Sequence, residues 1–178
     1  MLVFPPLSPA PVTPEALLDY IVACGFDAVI HEHEPLFTVD QSQELRGTME
    51  GGHTKNLFLK DKKGRLFLLT AQESSDVNLK TLHKLMGASG RFSFGSAEKM
   101  EATLGLKPGA VSALGVINDR EHQVTFAIDQ TLLEHEKINC HPLRNDATVT
   151  LLVSDLLALA EHCGHKPMIL DLGAETAE

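Results

Sequence analysis

The stretch from His53 to Thr70, HTKNLFLKDKKGRLFLLT, carries two apolar runs of strand length around a polar loop containing Gly64. That is the pattern of two antiparallel strands joined by a hairpin. A period of two sends Lys55, Leu57 and Leu59 to one face and Asn56, Phe58 and Lys60 to the other. Lys55 thus shares a face with leucines expected in the core, which sets an ammonium at the rim of an apolar surface, where an anion could be held.

The other elements follow from similar patterns. Thr13-Pro14-Glu15 opens a helix with an N-cap, a proline at the first helical position and an acid in the first turn, and Gly25 ends it. Phe26 to His33 reads as a strand, and residues 38–50 as a short helix before the loop Gly51-Gly52. Leu79, Leu82, Leu85 and Met86 form an amphipathic stripe closed by Gly87, and Ser96 opens another helix that runs to Gly105. Ala110 to Ile117, Gln123 to Ile128, Ile138 with Cys140, and Ala147 to Val153 read as strands. Ser154 is expected to cap a last helix, Asp155 to Cys163, and Pro167 to Leu172 a last strand. Strands and helices intersperse without a steady β-α-β rhythm, so the pattern predicts one mixed-sheet α+β domain over residues 1–178. Five prolines before Glu15 make residues 1–13 an extended arm, and residues 173–178 form a tail.

Composition narrows the classes. With 43% hydrophobic and 22% charged residues, 178 residues can bury a core. No run approaches the ~20 apolar residues of a membrane span, and the N-terminus lacks a basic region typical of a signal peptide. Three cysteines without a close pair point to a reducing cytoplasm. A net charge of −9, with no basic face or recognition helix, argues against DNA binding. Lys60, Lys62, Lys63 and Arg65 still cluster at the hairpin, with Lys80, His83 and Lys84 following; such a cluster is either a solvated turn or a local nucleic-acid contact.

Familiar catalytic signatures are missing: the spacing of Gly51-Gly52-His53-Thr54-Lys55 is wrong for a phosphate loop, and no G-x-S-x-G elbow occurs. His31 with His33, and His162 with His165, lack a third ligand at a diagnostic spacing, so the nine histidines read as scattered surface residues and no metal or cofactor is expected. Cys140-His141 on a strand would point to opposite faces, which rules out a nucleophile–base pair there. Two segments keep chemical interest. In LKPGAVSALGVIND the glycines mark either a plain turn or a place where a ligand approaches the backbone. In INCHPLRNDATVTL, His141-Pro142 breaks a strand, and Asn145-Asp146 is a turn beside Thr148.

Taken in order, HEHEPLFTVD, GGHTKNLFLKDKKGRLFLL, DVNLKTLHKLMG, FSFGSAEKMEATLGLKPGAVSALGVIND, HPLRNDATVTL and DLLALAEHCGHKP resemble the free-standing prolyl-tRNA editing proteins of the YbaK / prolyl-tRNA-synthetase-associated domain family, from about Leu17 to Leu172. The likeness is to the Ala-tRNA(Pro) deacylase branch more than to the Cys-tRNA(Pro) deacylases. The resemblance implies a mixed, mainly antiparallel, barrel-like sheet surrounded by helices, and hydrolysis of the ester joining a wrong amino acid to tRNA(Pro). It implies that Lys55 holds the phosphate of the terminal adenosine beside Asn56, that the loop Gly109 through Gly115 (with Ala110, Val111, Ser112 and Ala113) cradles the aminoacyl group, and that His141 lines the cleft. Leu36, Phe37 and Thr38 are expected as pocket walls or core, and Lys60, Lys62 and Lys63 as contacts to the acceptor stem. Mischarged tRNA(Pro) is the expected partner, with prolyl-tRNA synthetase or an elongation factor as transient ones. One departure stands out: the family loop is commonly G-x-x-x-P, and Ala113 occupies the proline position. Alternatives from the same residues are a sibling deacylase for Ser or Cys, and a non-catalytic module that binds aminoacyl-tRNA ends.

Overall fold

The long strand Gly52–Lys60 (β2) has neighbours along both edges, and the rest of the molecule is arranged around it. The structure, a computed structural model, describes residues 2–35, 47 and 49–174. The helix expected over 38–50 lies mostly outside them. Among the described residues the sheet holds eight strands: β1 (Val29–Glu32), β2, β3 (Leu66–Gln72), β4 (Ser93–Phe94), β5 (Val124–Asp129), β6 (Lys137–Cys140), β7 (Ala147–Leu152) and β8 (Met168–Leu170). Their order is β1-β7-β6-β2-β3-β5-β8, with β4 on β2. Pairs β1/β7, β7/β6, β2/β3 and β2/β4 are antiparallel, whereas β6/β2, β3/β5 and β5/β8 are parallel. This is the mixed, mainly antiparallel α+β sheet expected.

Because β3 is buried on both faces, its residues LFLLTAQ are almost all apolar rather than alternating. Leu66 and Leu68 join Phe58, Phe126 and Ile128 in the larger core, which helices α1 (Pro14–Ala23), α3 (Ala97–Leu104) and α4 (Val153–His162) cover. Phe67, Leu69 and Ala71 face the other way, with Leu59, Ala127 and Leu170, under the short helix α2 (Leu82–Leu85). Alternation along β2 therefore divides its side chains between two cores, and Lys55 belongs to the face of the smaller one. The N-terminal arm lies over the larger core, held by Tyr20 Oη donating to Pro5 O at 2.9 Å and Val12 N donating to Asn118 Oδ1 at 2.6 Å. Among the described residues no helix is long and apolar enough to cross a membrane.

Three expectations change. Ala113–Asn118 is a 3-10 helix rather than a strand: Ser112 Oγ caps Leu114 N at 3.2 Å, and all six residues are buried. A short, continuously apolar run fits a buried strand and a buried helical turn equally well. The last helix starts at Val153, directly after β7, with Leu152 at the N-cap in place of Ser154; the Val153 N–H is satisfied by Glu136 O at 2.9 Å, so no side-chain cap is needed. Helix α2 is one turn, the stretch before it being a turn in which Asn78 O accepts from Thr81 N and Leu82 N.

The hairpin tip is built on Asp61, which is buried. Its Oδ1 accepts from Lys63 N and Arg65 N at 2.9 Å each, and its Oδ2 from Arg65 Nε at 2.8 Å and Ser89 N at 3.0 Å. Burial alone would raise its pKa, but the hydrogen bonds from Ser89, Arg65 and Lys63 outweigh it and bring the carboxyl down from the ordinary 3.8 to about 2. A folded pKa below the unfolded one stabilises the fold above the unfolded value, and that stabilisation is lost as pH falls through the folded value. Asp61→Asn should therefore lower the urea midpoint at pH 7, and the gap to wild type should close as pH falls from 4 toward 2; a gap that stays constant would show that the charge plays no part.

Candidate active site

Lys55 and Asn56 stand opposite Ala71 and Thr70 of β3, so their side chains leave the sheet on opposite faces. Both are half-buried. Asn56 Oδ1 accepts from Thr70 Oγ1 at 2.6 Å, which fixes the amide with its two N–H donors turned away from Thr70. Lys55 Nζ donates to the carbonyl of Ser75. Ser75 in turn donates through Oγ to Asp129 Oδ2 at 2.6 Å. Asp129 is fully buried and also accepts from Gln72 N at 3.1 Å and Thr131 N at 3.0 Å. Burial pushes its carboxyl up, but the bonds from Ser75, Thr131 and Gln72 prevail and hold it below the usual carboxylate range.

The glycines before the hairpin have a packing explanation. A Cβ on Gly51, whose φ is +92°, would lie 2.5 Å from Lys137 O, and one on Gly52 would lie 2.9 Å from His135 Cδ2. Their absence of side chains lets β2 come against β6, where Gly52 pairs with Ile138 and His53 with Asn139 in parallel register. Thr54 Oγ1 adds a bond to Asn139 O at 2.9 Å. Lys55 and His141 each lie two residues beyond the His53–Asn139 pair on strands that run the same way. The register therefore brings them to the same level of the sheet.

His141 sits in the turn after β6. Its Nδ1 donates to Ala147 O at 3.2 Å, so the neutral ring keeps Nε2 as an acceptor. Burial lowers its pKa below the ordinary 6.5 and the nearby His33 lowers it further, against an opposing effect of the Ala147 bond. His33 belongs to this group and is not a bare surface residue: Nδ1 donates to Glu34 O at 2.8 Å and Nε2 lies 2.9 Å from Thr148 Oγ1. Arg144 braces the turn, reaching Glu32 and Asp146 at 2.6 Å each. Cys140 points into the larger core, where burial pushes its thiol up to about 12, far from a thiolate nucleophile.

The glycine loop approaches this turn from the other side of the molecule's sequence. Gly109, exposed and at φ +90°, has room for a Cβ only 3.8 Å from Asn145 Nδ2. Ala110 and Ser112 are buried and Val111 is half-buried. The N–H groups of Ala110, Leu114 and Gly115 are used within the loop, by Lys107 O, Ser112 Oγ and Ser112 O. Among the described residues no acceptor takes the N–H groups of Gly109, Val111 and Ser112. Gly115 is placed differently: it lies inside the 3-10 helix, where a Cβ would meet Leu106 Cδ1 at 2.6 Å, so it serves close packing. Ala113 is the first residue of that helix and follows an extended Ser112, a position that suits proline.

Lys60, Lys62 and Lys63 are exposed at the end of β2 and on the hairpin tip. Residues 55–99 carry nine Lys and Arg against four Asp and Glu, in a chain of net charge −9. The basic charge is thus segregated along β2 and the segments beside it. Leu36, Phe37 and Thr38 lie outside the described residues. Ser75, Asp129 and Thr70 were not singled out from sequence, and His33 was read there as a surface residue. Asp129 did leave a signal: it closes the apolar run VTFAI on the face of Ala127, where an acid needs partners.

The chain as a whole is similar to known proteins. The family model of the aminoacyl-tRNA editing domain matches residues 33–159, and the chain belongs to that family. It is 34% identical over 160 residues to "Prolyl-tRNA synthetase associated domain-containing protein 1" of Bos taurus, covering 88% of this chain and 93% of the relative. With "Prolyl-tRNA editing protein ProX" of Acetoanaerobium sticklandii it shares 33% identity over 142 residues, covering 79% and 86%. The crystal structure of a proposed trans-editing enzyme for prolyl tRNA synthetase superposes with a TM-score of 0.68 at 19% identity, over 92% of this chain and 98% of that one, a likeness of fold.

Two measurements check this geometry. By NMR, the His141 ring should titrate below 6.5, and His33→Ala should move its midpoint upward; a midpoint at or above 6.5 would contradict the burial. Ala113→Pro should raise stability by about 0.4–1 kcal/mol in urea unfolding, since proline restricts the unfolded chain at a compatible site; a loss would mean that position 113 needs its N–H or another φ.

Proposed function

We propose that this protein is a trans-editing deacylase that hydrolyses the ester between alanine and tRNA(Pro) in the cytoplasm. The observation that carries the reading is a lysine held mid-strand at the level of the His141 turn, in a chain of the aminoacyl-tRNA editing family. Lys55 acts as a point charge for the phosphate of the terminal adenosine, a role lysine fills well. Asn56 offers its amide on the opposite face of the strand. The exposed loop at Gly109, with the N–H groups of Gly109, Val111 and Ser112, supplies donors for the carbonyl oxygen as it becomes an oxyanion. Gly115 contributes by packing that loop, and His141 and Asn145 close the cleft on its far side. An aminoacyl ester is already activated, so positioning a water and stabilising the tetrahedral intermediate are enough for a useful rate.

Selectivity follows from size. A pocket that admits alanine and refuses the proline ring acts as a second sieve, because one small apolar group gives only about 1–3 kcal/mol of discrimination in a binding site. Leu36, Phe37, Thr38, Ala110 and Val111 are the proposed walls. Lys60, Lys62 and Lys63 meet the phosphates of the acceptor stem, which the segregated basic charge favours. Encounters with prolyl-tRNA synthetase or an elongation factor are transient in this scheme; the name of the Bos taurus relative mentions the synthetase alone. The alanine at position 113 favours a second reading, in which a loop without proline accepts serine or cysteine as well.

Lys55→Ala should leave the circular dichroism spectrum unchanged and lower kcat/KM on Ala-tRNA(Pro) about 10- to 100-fold, the effect of one charged hydrogen bond. Near-normal deacylation by that variant would remove Lys55 from the site. Replacing Lys60, Lys62 and Lys63 together by Ala should raise KM and flatten its salt dependence by about 2 in log–log slope; an unchanged slope would place the RNA elsewhere.

A further inference from the structure

Ser75 and Asp129 lie outside every group of residues considered above for substrate contact, yet they determine what Lys55 touches. The lysine ammonium rests on the Ser75 carbonyl, in the turn that follows β3. That turn is fixed by the Ser75 hydroxyl on Asp129 Oδ2 at 2.6 Å, by Gln72 N on the same oxygen at 3.1 Å and by Ser75 N on Gln72 O at 3.0 Å. Asp129 is itself fully buried at the end of β5, with Thr131 N on its other oxygen at 3.0 Å. A lysine has four rotatable bonds and loses rotamer entropy when it is held, so an ammonium aimed by a fixed carbonyl has met that cost before a ligand arrives.

We infer that Ser75 and Asp129 are positioning residues for Lys55: the buried carboxylate pins the Ser75 turn, and the Ser75 carbonyl aims the ammonium at the phosphate of the aminoacyl-tRNA end. This rests on the reading of Lys55 as the phosphate anchor. Neither residue touches substrate. The carbonyl is a neutral acceptor that a phosphate oxygen can join or displace, whereas a carboxylate in its place would hold the lysine as an ion pair and repel the phosphate. Asp129 stays one hydrogen-bonded residue away, shielded from the anion by Ser75.

The test is a double-mutant cycle. Ser75→Ala removes one hydroxyl and leaves Asp129 with both backbone donors, so the fold is retained where an Asp129 variant would orphan buried N–H groups. Ser75→Ala should lower kcat/KM on Ala-tRNA(Pro) about five- to tenfold, chiefly through KM, and Ser75→Thr, which keeps the hydroxyl, should restore it. In a Lys55→Ala background the same change should cost nothing further, since a residue acting through Lys55 has no effect without it. Additive losses in the double variant, or no loss in Ser75→Ala, would overturn the inference. The Lys55 Cε NMR signal, followed with adenosine 5′-monophosphate as probe, separates this from the proposed reaction. A signal that shifts with the nucleotide and whose response weakens in Ser75→Ala supports the positioning role even if wild type hydrolyses no aminoacyl-tRNA. A response equal in both proteins contradicts it.

Discussion

Strand β2 must pair along both edges at once, and the rest of the structure depends on that constraint. Its first residues run parallel to β6 and its body runs antiparallel to β3, so one strand joins the two halves of the sheet. Gly51 and Gly52 make the first pairing possible by removing side chains where Lys137 and His135 approach. Once β2 is locked, Lys55 has a fixed height in the sheet, level with the turn at His141 and one residue from Asn56. A site on a strand held from both sides is more rigid than one on a loop, which suits the positioning role proposed for Lys55.

Turns at both ends of the central strands are held by buried carboxylates. Asp61 gathers the backbone N–H groups of the hairpin tip and of Ser89, and Asp129 those of Gln72 and Thr131. Asp119 takes Gln123 N at 3.0 Å, Val124 N at 2.8 Å and His165 Nε2 at 2.9 Å. For all three, burial pushes the carboxyl up and hydrogen bonds more than compensate, so each stays below its ordinary range. Each therefore stabilises the fold above the ordinary carboxylate pKa, and that contribution disappears in acid. A chain with a net charge of −9 thus uses some of its acids as internal turn anchors rather than as surface charge.

Much of this was legible in the sequence because it rests on local signals. The hairpin, the helix from Thr13 and Pro14 to Gly25 and the helix capped by Ser96 follow from alternation and capping, and the structure places them close to where those signals put them. The face assignment of Lys55 and Asn56 followed from a period of two alone. What the sequence hid depends on contacts between distant residues. Ala113 to Asn118 became a 3-10 helix because Ser112 caps it and because Asn118 bonds Leu104 and Val12, far away in the chain. His33 looked like one of many surface histidines until Thr148 was brought to it by the β1/β7 pairing. Ser75 and Asp129 are 54 residues apart, and nothing local announces that one steadies the other.

In the proposed function, the lysine on β2 and the glycine loop form a site for editing a small amino acid on tRNA(Pro). The direct measurement is the deacylation rate of the purified chain on Ala-, Ser-, Cys- and Pro-tRNA(Pro) side by side, with EDTA present. Rapid release of alanine with proline spared is the predicted result. Equal rates on alanine and proline, or no turnover on any of the four, would contradict it.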